Sequence, residues 1–375
     1  VRSFISLSAD HSSISGCNVN MGNEDRYHAD VIWLSKIVEW GRQYTNSALF
    51  SGLLTAGWIP VVATAVAVDP SETDQIFLIG QLLACLMVII GPFDVWYFDQ
   101  KLLPGFFQHA DDTLVSADDT TLADLSKKYD RYYARFWWVN VAVWVVLVLG
   151  VFVVSQSYFE AQGIQTITEK AAYLVFFVYW LIIAGLRTHA ALITVLSIRA
   201  FAEKASLNID PLHPDGLGGL SSVGEFAIQV TLIYSLGSFA LPLSFELASE
   251  VNFGLFVYIG VFLFILNIVL LFAYPTYKMN RRAQEIRERV LEENKQRIRE
   301  LEAKLELPKE DDDASIREHQ LLQMEIRRAR QEFRDNQNVQ LYPLSISIIT
   351  RLVSSVILPI LFIIFDIYIR DILGI

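Results

Sequence analysis

Long apolar stretches that contain no charged side chain alternate along this chain with short charged segments. A membrane-spanning helix needs about 20 apolar residues, because the hydrocarbon core of a bilayer is about 30 Å thick and each helical residue adds about 1.5 Å. Windows of this size predict seven spans, at 43–68, 75–93, 136–159, 171–186, between Glu225 and Glu246, between Glu250 and Lys278, and at 344–369. The pattern therefore predicts an all-α, multipass transmembrane helical bundle.

The positions of Lys and Arg test this topology independently of the apolar windows. Cytoplasmic loops of membrane proteins carry an excess of these two residues. With seven spans, 28 of the 30 basic residues fall on one side of the membrane. This bias predicts a protein of the cell inner (plasma) membrane with its N-terminus in the cytoplasm and its C-terminus outside. Spans one to six then occupy 43–275 with cytoplasmic loops at 99–135 and 199–221, and span seven lies in 341–375.

Two different segments precede the first span. Residues 1–29 lack the apolar stretch of a signal peptide and are predicted to be a flexible tail. Residues 30–42 place Val31, Leu34 and Val38 at helical spacing, which predicts an amphipathic helix at the inner membrane interface. The alternative is that 30–42 forms the first turns of span one.

The most highly charged segment, 276–340, holds 15 basic and 15 acidic residues. Its apolar residues recur at heptad-like spacing: Ile286, Val290, Ile298, Leu301 and Leu305, then Leu322, Ile326, Ala329 and Phe333. Pro308 and the acidic run after it interrupt the helix, and Ser315 with Glu318 has the spacing of a capping box for a second helix. We expect a cytoplasmic antiparallel coiled-coil hairpin, which is interpreted as a rigid stalk, or as a lever or assembly zipper.

The overall composition agrees with a membrane protein, since 53% of the residues are hydrophobic and only 19% are charged. Soluble proteins average about 45–50% and about 25%. The solid apolar blocks also exclude an outer-membrane barrel, in which apolar and polar residues alternate. The net charge of −11 argues against a general nucleic-acid-binding surface. The two cysteines, Cys17 and Cys85, are too few for a disulfide framework.

Ionisable residues inside the predicted spans or directly at their ends are the first candidates for function. Each costs about 2.5–3.5 kcal/mol at the bilayer centre, so an ionisable residue at such a position indicates a function. Five of them fall toward the cytoplasmic ends of their helices and are predicted to line a pore or inner vestibule: Asp94, Arg187, His189, Glu225 and Arg351. A ring of arginines would favour anions and a ring of carboxylates would favour cations. The alternative for Arg187 is an interfacial anchor that snorkels to water.

Further candidates lie in span seven and at three prolines. Asp366 faces a pore mouth in one interpretation and pairs with Arg370 at i+4 in the other. Proline inside a membrane helix frees a backbone carbonyl and bends the helix. Hinges are therefore predicted at Pro92, Pro242 and Pro359.

The loop 208–219 before span five combines two prolines with three glycines. Exposed amides here, at a helix N-terminus, would suit an anion or phosphate. The candidate ligand-binding residues are Asp210, His213, Asp215, Gly216, Gly218 and Gly219; the alternative is a structural turn. The sequence His-Pro-Asp-Gly…Gly-Gly resembles a loop of uncharacterised prokaryotic multipass membrane proteins. The layout of a helical bundle with an inner hairpin is similar to that of membrane effector channels of bacterial defence systems.

No enzymatic motif is present: the sequence lacks a Walker loop, a His-Glu-x-x-His pair and a nucleophile elbow. We therefore expect no catalytic activity, no cofactor and no metal. The predicted function is a homo-oligomeric ion channel in the lipid bilayer, gated by a cytoplasmic ligand or protein partner that acts on the hairpin and inner loops. One alternative is an ion or small-molecule transporter. The other is a non-conducting scaffold that presents the hairpin.

Overall fold

The computed structural model describes residues 30–114, 121–205, 219–250, 254–305 and 313–338, together with positions 361 and 364. Within these residues the chain is helical and contains no strand. The predicted tail 1–29, most of the loop 208–219 and nearly all of span seven lie outside them.

The helices are labelled here α1 to α9 in chain order. Three of them contain a turn of different pitch, where the backbone leaves the α-helical ladder. The bounds are α1 Trp33–Thr45; α2 Ala48–Ala67 with a π-helical turn at Leu53–Gly57; α3 Gln75–Tyr97 continued by a π-helical turn at Phe98–Leu102 and by Leu103–Leu114; α4 Thr121–Val154; α5 Gln156–Ala161; α6 Ile167–Lys204; α7 Ser221–Ser235 continued by a 3₁₀ turn at Leu236–Ala240 and by Leu241–Glu250; α8 Gly254–Leu305; and α9 Asp313–Asn338.

Four helices in the described part of the chain are long and apolar enough to cross a membrane, namely α2, α3, α6 and α7. Helices α3, α6 and α7 contain the second, fourth and fifth predicted spans, and α2 covers 48–67 of the first, which was predicted at 43–68. The third and sixth predicted windows, 136–159 and 250–278, fall mainly within α4 and α8. The seventh, 344–369, falls outside the described residues except for positions 361 and 364.

Helices α3 and α6 run parallel to each other. The Tyr173 hydroxyl of α6 donates to Gln81 of α3 over 3.1 Å, and further along both helices Arg187 meets Asp94. Between these two contacts α3 and α6 touch at Gly91, where an added Cβ would lie 2.5 Å from the Ile183 side chain. The two helices therefore keep one register over their apolar length.

Two helices that pack against this pair, α7 and α4, run in the opposite direction. Gly80, near the start of α3, lies against Leu243 near the end of α7, at 2.9 Å from the position of a Cβ to the Leu243 nitrogen. Gly185 of α6 lies equally close to α4, at 2.7 Å from such a Cβ to the Cα of Val141. Glycine is required at such approaches because a larger residue would separate the two backbones. The small residues thus fix an up–down packing.

Irregular turns in the long helices coincide with prolines. The two π-helical turns are followed by Pro60 and Pro104, and the 3₁₀ turn is followed by Pro242. Proline has no N–H to donate to the preceding turn, so the hydrogen-bond ladder changes its spacing there. Pro92, by contrast, lies inside the regular α-helical part of α3.

The N-terminal helix α1 is separate from α2, since Asn46 between them adopts a left-handed conformation with φ of 54°. The residues just before its first turn are tied to the bundle by two buried carboxylates. The Ile32 amide donates to Asp99 over 3.2 Å and the Asp30 amide donates to Asp130 over 2.6 Å. These bonds give partners to backbone N–H groups at and before the N-cap, and they hold the start of α1 against α3 and α4.

The described residues of the inner segments predicted as loops are largely helical. In 99–135, α3 continues to Leu114 and α4 begins at Thr121; in 199–221, α6 continues to Lys204. The prediction of loops was wrong in these parts because it followed charge alone. The apolar residues Phe106, Phe107 and Leu122 of the segment 99–135 are buried, so the helices continue past the charge-free windows and extend the bundle core.

The charged half of α8 packs antiparallel against α9, and this pair (276–305 and 313–338) is called the arm below. Arg287 of α8 donates to backbone carbonyls at the end of α9. Glu302, later in α8, pairs with Arg330, earlier in α9, at a distance of 2.6 Å. A small apolar cluster of Leu301, Ile326 and Ala329 is buried between the two helices.

Candidate functional site

The bundle core contains one ion pair between buried side chains in the described part of the chain, Asp94 of α3 with Arg187 of α6. Each side chain is 4% exposed. The parallel register of α3 and α6 aligns the two residues, because each lies about 28–30 Å along its helix at 1.5 Å per residue. The structure thus brings together two of the residues that the sequence predicted as vestibule charges.

The guanidinium of Arg187 is only partly used by this pairing. Its Nη2 donates to Asp94 and, over 3.4 Å, to the backbone carbonyl of Met87. Nε and Nη1 are buried and have no acceptor among the described residues. An arginine has five N–H donors in a fixed geometry. The site therefore retains the capacity to bind an acceptor besides Asp94.

His189 does not take part in this pair, although it lies two residues away. Its Nδ1 is 2.8 Å from the Asn140 side-chain nitrogen of α4, and its Nε2 is 3.2 Å from the Tyr132 carbonyl. A carbonyl only accepts, so Nε2 carries the proton and Nδ1 accepts from Asn140. The ring also stacks on Tyr133 at 5.5 Å. These contacts fit a neutral histidine that joins α4 to α6.

The other predicted charges are not part of the buried pair. Glu225 lies in the first turns of α7 and is exposed. Arg351, Asp366 and Pro359 lie outside the described residues, as do Asp210, His213, Asp215, Gly216 and Gly218. Gly219, the last residue of that loop, is described and has a φ of 91°, a conformation that glycine adopts without strain.

A second buried polar layer was not predicted from the sequence. Gln81 donates to Thr64 of α2 over 3.0 Å and accepts from Tyr173 of α6. All three residues are buried, and together they connect three helices. The signal that could have found this layer is the isolated Gln81, since an uncharged polar side chain in an apolar helix usually bonds to a neighbouring helix.

The described residues contain no group of three or more His, Cys, Asp or Glu side chains that could hold a metal ion. Comparison with protein-family models, curated proteins and solved structures finds no match to this chain. The function is therefore inferred from the arrangement of its own residues.

Proposed function

We propose that this protein is a homo-oligomeric ion channel of the inner membrane, with seven spans, a cytoplasmic N-terminus, and an arm that acts as a cytoplasmic coiled-coil hairpin. The arm responds to a cytoplasmic ligand or protein partner. The pore lies between subunits, since the interior of a single bundle is filled by close helix contacts such as Gly185 on Val141 and Gly80 on Leu243.

One observation carries the gating part of this proposal: α8 is a single helix of 52 residues that runs from the apolar bundle into the arm. At 1.5 Å per residue it is about 78 Å long. A force on the arm therefore acts on the bundle without an intervening loop. Lys278 of α8 pairs with Glu203 of α6 at 2.9 Å, and α6 is the helix that carries Arg187.

The exposed carboxylate of Glu225 supports a preference for cations. Within the bundle Asp94 and Arg187 neutralise each other, whereas Glu225 lies on the surface of the single chain. In an oligomer, symmetry would repeat this carboxylate around the central axis, and rings of carboxylates attract cations.

Planar-bilayer recording in a KCl gradient tests the pore. We expect discrete current steps and a cation-selective reversal potential, and Glu225→Gln should move that potential toward zero. The matched control is Glu72→Gln, which removes the same charge from the exposed turn between α2 and α3. Selectivity that is unchanged in Glu225→Gln, or changed equally in both variants, would contradict the assignment of Glu225.

A cross-link between α8 and α6 tests the lever. Glu203→Cys and Lys278→Cys, combined with Cys17→Ser and joined by a short bis-maleimide, should hold the channel in one conductance state. Each single-cysteine variant treated with the same reagent is the control and should still switch. Unchanged switching after complete cross-linking would contradict transmission through this contact.

Sidedness has its own test. Arg297 in the arm is an exposed position for a single cysteine. In a Cys17→Ser background, an impermeant maleimide should label Arg297→Cys only after the cytoplasmic side is made accessible, and a reporter fused after Ile375 should lie outside. A cytoplasmic reporter would contradict the odd number of spans.

A second candidate function is transport of an anion, and the unused donors of Arg187 favour it. Nε and Nη1 are buried without an acceptor among the described residues. An anion that bridges them would suit a transporter site at the interface of α3 and α6. Uptake of a radiolabelled anion by vesicles, lost in Arg187→Gln without any current steps, would favour this function over the channel.

A further inference from the structure

One exposed face of α4 carries basic and aromatic side chains in adjacent rows. Lys128, Arg131 and Arg135 recur at helical spacing and are all exposed, and the Arg131 side chain is 63% exposed. Tyr132 and Phe136 stand between them and are exposed to 38% and 42%. These five residues are called the basic–aromatic face.

The cations of this face lie over its rings. The Lys128 ammonium is 5.5 Å from the ring centre of Tyr132, and the Arg135 guanidinium is 5.9 Å from that of Phe136. The two rings meet edge to face at 5.6 Å. The aromatic row therefore holds the basic groups in place on the helix surface, so that less side-chain entropy is lost when they bind an anion.

The same face becomes apolar in the next turns of the helix. Val139, Val143 and Val146 are exposed, the last to 74%. Cations interleaved with aromatic rings, followed by exposed aliphatic side chains, match the order of headgroup region and hydrocarbon that a helix meets as it enters a bilayer.

The opposite side of this segment faces the protein. Tyr129, Asp130 and Tyr133 are buried, and the Asp130 carboxylate accepts from the backbone of Asp30. The acidic groups near the basic residues are Asp30, 3.8 Å from Arg131, and the exposed Asp124 one turn before Lys128. The three cations of the face thus outnumber these two acids, among the residues that the structure describes, by one.

Helix α1 extends this surface beside α4. The rings of Trp33 in α1 and Trp137 in α4 are 6.1 Å apart, and Lys36 lies on the exposed side of α1 one turn after Trp33. Tryptophan is enriched at the headgroup level of membranes. The neighbouring helix therefore presents the same combination of a cation and a ring at its surface.

We propose that the basic–aromatic face of α4 binds the headgroup phosphate of an anionic phospholipid, with the acyl chains lying along Val139, Val143 and Val146. The cations of the face complement the negative charge of the headgroup. The exposed apolar surface directly beside them complements the acyl chains, and an anionic phospholipid is the occupant that has both. This inference is independent of whether the protein conducts ions.

The test uses the purified full-length protein in neutral detergent. Phosphatidylglycerol or phosphatidylcholine of the same acyl composition is added. Bound lipid is measured by native mass spectrometry and the melting temperature by thermal shift. The triple variant Lys128→Gln/Arg131→Gln/Arg135→Gln should lose about 100-fold in apparent affinity for phosphatidylglycerol, since each basic residue contributes about fivefold near an anionic surface. The charge-matched control is Arg289→Gln/Lys295→Gln/Arg299→Gln in the arm. It should stay within about twofold of the wild type, because exposed charges far from the bound headgroup are screened.

Equal binding of the two lipids by the wild-type protein would overturn the proposal. An equal loss of affinity in both triple variants would do so as well. If the α4 variant does not fold, binding of the two lipids to the wild-type protein is compared at low salt and in 500 mM NaCl. The high salt should abolish the preference for phosphatidylglycerol, because it screens the charges. Dissociation of an oligomer in the α4 variant, without any change in lipid binding, would make the face a subunit contact and would also overturn the proposal.

Discussion

Helix α8 joins two regions that use charge in opposite ways. In the bundle the ion pair of Asp94 with Arg187 is 4% exposed on both sides. In the arm the ion pairs between described side chains are at least partly exposed to solvent; Arg330 and Glu302, for example, are 59% and 39% exposed. A buried charge that loses its partner cannot regain solvation, whereas an exposed charge can. We therefore expect single substitutions to be costly in the bundle and mild in the arm.

The largest effect is expected at the buried pair. Asp94→Asn and Arg187→Gln should each lower the free energy of unfolding by about 3–5 kcal/mol, because each leaves an uncompensated buried charge or an unpaired partner. The double variant should lose less than the sum of the single losses. The measurement is unfolding of the purified protein by SDS titration, with Glu285→Gln, in an exposed pair with Arg281, as control. Losses in the bundle no larger than in this control would contradict the comparison.

The next largest effect is expected where helices touch through glycine. A methyl group on Gly185 would meet the backbone of α4, so Gly185→Ala should cost about 1–3 kcal/mol by overpacking. Gly150 of α4 has nothing within 4 Å of an added Cβ, and Gly150→Ala should gain up to about 1 kcal/mol from helix propensity alone. The melting temperature should therefore fall in Gly185→Ala and rise in Gly150→Ala. An equal shift in both would show that helix packing at Gly185 is looser than described.

A smaller effect is expected in the uncharged polar layer. Tyr173→Phe removes the hydroxyl that donates to Gln81 and should cost about 0.6 kcal/mol, with an upper limit of about 1.7 kcal/mol, as measured for hydrogen bonds between membrane helices. Tyr277→Phe, at a position 64% exposed, is the control and should be neutral. The same SDS titration measures both, and a loss at Tyr277 as large as at Tyr173 would contradict the assignment.

The smallest effect is expected in the arm. Glu302→Gln breaks the pair with Arg330 and should cost about 0.2–1 kcal/mol at low salt, since exposed pairs contribute little. In 500 mM NaCl the difference from the wild type should vanish because exposed charges are screened. A loss that persists at high salt would mean that the arm is buried in the assembled protein.

Part of this structure is predictable from sequence, and the reason is physical. Apolar blocks free of charge are visible directly, so helices such as α2 and α6 are expected. The isolated charges Asp94 and Arg187 stand out at the ends of two such blocks. The presence of a partner for a buried charge is also expected, because an unpaired ion is costly. Which of Asp94 and Glu225 is that partner depends on helix register, which the sequence does not contain.

Other features escape sequence reasoning because their partners are neutral or backbone groups. The predicted vestibule residue His189 bonds to Asn140 and to the Tyr132 carbonyl. Asp99 and Asp130 accept from the backbone at the start of α1, about 70–100 positions away along the chain. Contacts of this kind arise from the arrangement of α1, α4 and α6 in space and leave no local pattern.

The central claim is that several copies of this bundle surround a pore. The mass of the particle, measured by native mass spectrometry in nanodiscs that contain phosphatidylglycerol, tests it most directly. The account predicts a defined multiple of the 42.6 kDa chain. A particle that holds a single chain, at concentrations where current steps are recorded, would contradict it.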